Sequence, residues 1–302
     1  MIELGFDFVA MASPCELRLV GASEAQLHTA ARAAIAEVQR VEAKFSRYRG
    51  DSIIARINAA AGRGQPVEVD DETAALLDFG QQLHALSGGR FDVTSGVLRQ
   101  AWNFRAGRLP EPAQVQALLP LIGWQHVRWA GRRIELPSAG MEVDFGGFGK
   151  EYAADRAAAL VQSLGVPGGF VNLGGDIRVL GPRADGSAWR LALQHPRQAE
   201  AQLGQVQLSQ GALATSGDYE RCIVVDGRHY GHVLDARSGW PVQHWQSISV
   251  IAPTCAAAGA LCTLAMLAEG KALSFLEQQG QAFIAVRHDG QVIDHLDRAA
   301  LP

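Results

Sequence analysis

Five glycine clusters flanked by acids constrain this chain more than any other feature of its 302 residues: Ser87–Asp92, Asp144–Lys150, Asn172–Asp176, Thr215–Tyr219 and Gly231–Asp235. Glycine removes side-chain bulk, so backbone N–H and C=O groups can approach a ligand, while the neighbouring acids, lysine and histidine supply charge and proton transfer. Clusters spread from residue 87 to residue 235 imply one composite pocket assembled from loops distant in sequence.

Charge narrows what that pocket binds. With 27 basic and 31 acidic residues the net charge is -4, which offers no broad attraction to nucleic acid or to an anionic membrane surface, so any anion must be held locally. A hydrophobic share of 48% with no low-complexity tract fits a packed globular enzyme. The length allows one elaborate domain or two lobes, and the expectation is a single domain over residues 1–302 made of two interlocked lobes. No apolar run is expected to reach the roughly 18 residues of a membrane span. The start of the chain carries neither a basic n-region nor an apolar h-region, so it reads as cytoplasmic. Cys15, Cys222, Cys255 and Cys262 lack the spacing of a disulfide framework or a zinc site and read as buried free thiols.

Periodicity predicts a strand over Cys15–Val20 and a helix over Glu24–Lys44 with Leu27, Ala31, Ala34, Ile35, Val38 and Val41 on one face. Asp70 or Asp71 caps a second helix that stops at Gly88 and Gly89. Val127–Leu136 reads as a hairpin turning at Gly131, Met141–Asp144 as a strand, and Glu151–Leu164 as a helix. Further strands are expected over Gly169–Leu180, Trp189–His195, Gly204–Leu208, Cys222–Val225, Gln246–Ile251 and Ala282–Arg287, with helices over Ala256–Ala268 and Lys271–Gln279.

Taken singly, the clusters are ambiguous. Gly146–Lys150, between a strand and a helix, can present N–H groups to a phosphate, or it can be a tight turn with no ligand. Glu151 stands where a P-loop needs Ser or Thr, and the spacing is not that of a Rossmann fingerprint. His232, near Asp235, has the chemistry of a general base toward a hydroxyl, or it is a satisfied structural histidine. Thr215–Tyr219 is not a Gly-x-Ser-x-Gly elbow. Tyr48 and Phe91 can stack on a planar ring or pack in the core.

In order, however, these segments resemble the ApbE family of flavin transferases, which move FMN from FAD to a threonine hydroxyl of a target protein and release AMP. The resemblance runs from about Met11 to Leu267 and rests on Met11-Ala12-Ser13, Phe45–Ile53 with Asn58, Gly89–Thr94, Asp144–Asp155, Val171–Asp176, Ala214–Glu220, His232–Gly239 and Val250–Thr254. It implies an α+β, two-lobed fold with the flavin cleft between the lobes. It also implies that Met11, Tyr48, Asn58, Arg90, Phe91 and Asp92 line the FAD site, with Gly146, Lys150, Tyr152 and Val233 along the isoalloxazine and phosphate path. His232 would then take the proton of the acceptor threonine. Magnesium would be held by the carbonyl of Gly149 and by side chains at positions 259 and 263.

At those last positions the chain departs from the family. Gly259 stands where relatives carry aspartate, while Thr263 remains. Glu151 replaces the usual glycine after the lysine, and Ala236 the usual proline after Asp235. A carboxylate at 151 either repels the phosphates or supplies the missing ligand. Two readings of function follow: a threonine-directed FMN transferase, or an FAD-binding paralogue, a carrier or regulator, lacking a complete magnesium site.

Overall fold

The computed structural model describes residues 1–198 and 200–296. Its central sheet has eight strands, each pairing antiparallel with the next: β1 (Ile2–Ala10), β2 (Ser13–Gly21), β3 (Gly168–Leu173), β4 (Asp176–Gly181), β5 (Gly211–Gly217), β6 (Trp245–Ala252), β7 (Ala282–Arg287) and β8 (Val292–Asp294). Helices and hairpins are inserted between successive strands. The helices are α1 (Glu24–Phe45), α2 (Ile53–Ala59), α3 (Asp71–Leu86), α4 (Pro112–Leu118), α5 (Gly149–Ser163), α6 (Cys255–Ala268) and α7 (Ala272–Gln278).

One sheet face is covered by α1, α5 and α6. Ser23 caps α1 by accepting the Gln26 N–H, and the predicted face buries Leu27, Ala31, Ala34, Val38 and Val41, with Ile35 half-buried. Alanines at 153, 154 and 157 let α5 lie close to α1 and the sheet. The opposite face is covered by the hairpin Trp189–Gln194/Gln202–Leu208, whose alternating pattern turns Trp189, Leu191, Leu193, Val206 and Leu208 onto Phe170, Val179 and Ile251. A third cluster joins Val97, Leu98, Trp102 and Val115, from the insertion before β3, to Ile223 and Ala236, from the insertion before β6. The Trp102 indole N–H donates to the Gly239 carbonyl at 2.8 Å across that junction. Full burial of each such apolar side chain is worth roughly 1.5–3 kcal/mol, which is enough to fix the two insertions against each other.

Several expectations need correction. Gly169–Leu180 is not one strand: Gly174 and Gly175 turn the chain back, with φ of +59° and +94°, so β3 and β4 pair with each other. Met141–Asp144 is cut down to a single parallel bridge, Glu142 to Ser95, with the Asp144 N–H donating to the Val93 carbonyl; both backbone groups of Val143 are taken by the Asn58 side-chain amide at 2.7 and 3.0 Å. The edge strand β1 is an added element. The stretch Cys255–Gln278 is long and apolar enough to cross a membrane by length and composition, against the expectation of none. Half of it is buried inside the protein, where α6 lies on β5 and β6 as a core helix, and the chain breaks between α6 and α7 at Glu269, with φ of +48°.

Candidate active site

The strand register brings three turns to one end of the sheet: Met11-Ala12 between β1 and β2, Gly174-Gly175 between β3 and β4, and the Thr215–Asp218 segment that closes β5. The first turn of α5 points there. A Cβ at Gly174 would lie 2.8 Å from Ser13 Cβ and 3.5 Å from Lys150 Nζ, so a bare backbone at 174 is what lets the lysine approach. Lys150 Nζ donates to the Gly174 carbonyl at 3.3 Å and stands 2.6 Å from Asp176 Oδ2. Burial alone would pull the ammonium's pKa down. The carboxylates of Asp176 and Glu151 outweigh that effect, so it lies above the ordinary lysine value and stays charged.

His232 follows the hairpin Cys222–Val225/Arg228–Gly231. A Cβ at Gly231 would sit 2.8 Å from Asp218 Cα, so the chain leading into the histidine packs directly on the end of β5. Arg197 pins Asp218 there with two bonds of 2.6 Å. The His232 side chain keeps access to solvent, yet its pKa is pushed down to about 4, first by the protein crowded around it and then by the positive charges of Arg221 and Lys150. The ring is therefore neutral near pH 7 and has a free nitrogen lone pair.

Glu151, beside Lys150, is only 9% exposed and packs on Gly259 of α6. Its Oε2 has no hydrogen-bond partner, and burial followed by the negative charge of Asp176 pushes its pKa up to about 8. One turn further along α6, Thr263 Oγ1 lies 3.3 Å from Ser216 Oγ. Among the described residues no three His, Cys, Asp or Glu side chains form a metal-binding group.

A second wall comes from the insertion before β3. Arg47 pairs with Asp144 at 2.8 Å, and Asp144 Oδ1 accepts the Gly146 N–H at 3.2 Å. The Arg47 guanidinium also bonds the Tyr48 hydroxyl at 3.0 Å and lies over its ring, and that ring is 79% exposed. Arg90 ties two clusters together, donating to Asp235 Oδ2 at 3.1 Å and to the Leu267 carbonyl at 3.0 Å, while its own carbonyl accepts from Ala236.

The sequence model of the ApbE family matches residues 11–285. The chain belongs to the ApbE family. FAD:protein FMN transferases of Salmonella typhimurium and Escherichia coli K12 are 31% identical over 260 residues and 30% identical over 259, each covering 82% of this chain and 73% of the relative. Among solved structures, the ApbE protein of Thermotoga maritima matches with a TM-score of 0.89 at 29% identity, covering 97% of both chains. The apo flavinyl transferase ApbE of Pseudomonas stutzeri matches with 0.83 at 30%, covering 96% of this chain and 93% of that one.

Within this ApbE fold the residues expected at the site divide into groups. Lys150, Gly149, Gly259, Thr263 and His232 gather around the end of β5, and Tyr48 and Gly146 share the Arg47–Asp144 wall. Others hold the loops in place. Asn58 is spent on Val143, and Met11, with φ of +51°, is anchored by its N–H to Glu42. Phe91 and Asp92 are buried: Phe91 packs on Phe148 and Gly147, and Asp92 accepts from Thr94 and Trp124. Half-buried Val233 packs on the core, and its carbonyl accepts the Val242 N–H. The Tyr152 hydroxyl points away from Lys150 and donates to Glu72 at 2.7 Å among α1 and α3. Asp176 and Arg197 are additions to the expected set. The Gly174-Gly175-Asp176 cluster was a signal for the first, whereas nothing local marks an arginine between two hairpin strands.

Proposed function

We propose that this ApbE protein is an FAD:protein FMN transferase, acting on FAD and on a threonine hydroxyl of an acceptor protein. The observation that carries the reading is a charged ammonium held at the Gly174 turn and a neutral imidazole that follows the chain packed on the end of β5, in electrostatic reach of each other. A diphosphate drawn to Lys150 then lies beside a free ring nitrogen. The acceptor Oγ attacks the phosphorus bearing FMN, the bond from that phosphorus to the bridging oxygen breaks, and AMP leaves with the electron pair. His232 takes the hydroxyl proton as the new P–O bond forms. A pKa of about 4 is low for this task in the free protein. Phosphate anions beside the ring offset Arg221 and Lys150 and move it toward neutrality.

Tyr48, exposed with a guanidinium behind it, offers a face for a planar ring, and Arg90, Gly146 and Val233 are the further residues assigned to the flavin in this reading. The oxygen donors on α5 and α6 fit Mg2+, which would be held by the Gly149 carbonyl and the Thr263 hydroxyl. When bound it neutralises diphosphate charge. Gly259 contributes space and no donor. Transfer in the cytoplasm is part of the proposal.

The test is direct: with FAD, Mg2+ and a threonine-containing acceptor peptide, the protein releases AMP and leaves a fluorescent flavin on the peptide. FAD binding with no AMP at any Mg2+ concentration would leave a flavin-binding protein without transferase activity.

A further inference from the structure

We infer that Glu151 is the carboxylate ligand of a divalent cation, projecting from α5 into the hollow that Gly259 leaves on α6. This rests on the flavin-transfer reading only for what the cation would serve, because the geometry stands without it.

A carboxyl group that is nine-tenths buried with an oxygen lacking any partner is costly, since it has lost water without replacing it. Lys150 forms no ion pair with it, being committed to Asp176 at 2.6 Å. Among the described residues no basic side chain is paired with Glu151. The surroundings are nevertheless shaped around it. A Cβ on residue 259 would lie 2.6 Å from Glu151 Cγ and 2.7 Å from Oε1, so any other residue there would displace the carboxylate. Glycine inside a helix is destabilising relative to alanine, and here that cost makes room for an acid. Thr263, four residues on, shares the helix face with position 259, and its hydroxyl meets that of Ser216 at 3.3 Å. A carboxylate and two hydroxyls are hard oxygen donors suited to Mg2+ or Mn2+, which commonly take one or two carboxylates and complete their shell with water and phosphate oxygens.

Mn2+ is the probe, with binding followed as loss of the free-ion signal in electron paramagnetic resonance. Glu151→Gln, which keeps the shape of the protonated acid and cannot become an anion, is expected to weaken Mn2+ binding at least about tenfold. Gly259→Ala should do the same by pushing the carboxylate aside. The exchange Glu151→Gly with Gly259→Asp, which moves the acid to the facing helix, should recover most of the loss. Glu151→Gln binding Mn2+ as the wild type does, or a wild type that binds no Mn2+, overturns the assignment. Quenching of flavin fluorescence on FAD addition separates the two readings: a chain that takes Mn2+ through Glu151 but no FAD keeps this site and loses the flavin-transfer reading.

Discussion

At the scale of single residues the proposed base is His232, and two outcomes follow from its surroundings. His232→Ala should lower the rate of AMP release by about 10²–10⁴, the usual worth of a positioned base, while FAD affinity measured by fluorescence quenching changes little. In the free protein the imidazole should titrate near pH 4 by NMR and move upward when FAD is added. The same depression sets a stability trend. Between its ordinary value of 6.5 and about 4 the unfolded chain binds a proton that the folded ring refuses, so stability falls as pH drops through that window. Replacing His232 with Gln should flatten that part of the melting curve against pH.

Elements position these residues through a few polar ties. Asp155 on α5 accepts the Cys255 and Ala256 N–H groups at 2.9 and 2.8 Å, capping α6 from a neighbouring helix. Asp155→Ala should cost about 1–2 kcal/mol in urea unfolding and also weaken Mn2+ binding, because α5 and α6 face each other at Glu151 and Gly259. On the far side of α5, Glu72 accepts from Arg40 and Lys44, both at 2.6 Å, and from Tyr152 at 2.7 Å, joining α1, α3 and α5. Burial would raise its pKa, but those three donors outweigh it and bring it to about 2. Its contribution is present above the ordinary value of 4.5 and disappears as pH falls toward 2. Glu72→Gln should therefore destabilise the protein by about 1–3 kcal/mol near pH 7, with the difference from wild type closing below pH 4.5.

Across the whole molecule, local patterns fixed most elements and non-local contacts decided the rest. Helical spacing is enough to place α1, and Asp70 does cap α3 by accepting the Thr73 N–H. Sequence could not show that Asn58 occupies the backbone of Val143, 85 residues away, which leaves the expected strand as a single bridge at Glu142. Asp92 stands in a recognisable motif, but its bonds to the Thr94 and Trp124 N–H groups, which brace the loop, have no signature in sequence. Glu151 and Gly259 are each odd alone and make sense only as a facing pair across two helices. The central claim is that these dispersed turns grip one dinucleotide with its phosphates between Lys150 and His232. A crystal soaked with FAD and Mg2+ tests it most directly. The account predicts diphosphate density against Lys150 Nζ with the FMN phosphorus facing the His232 ring; phosphates bound elsewhere on the protein, with that cleft left to water, would contradict it.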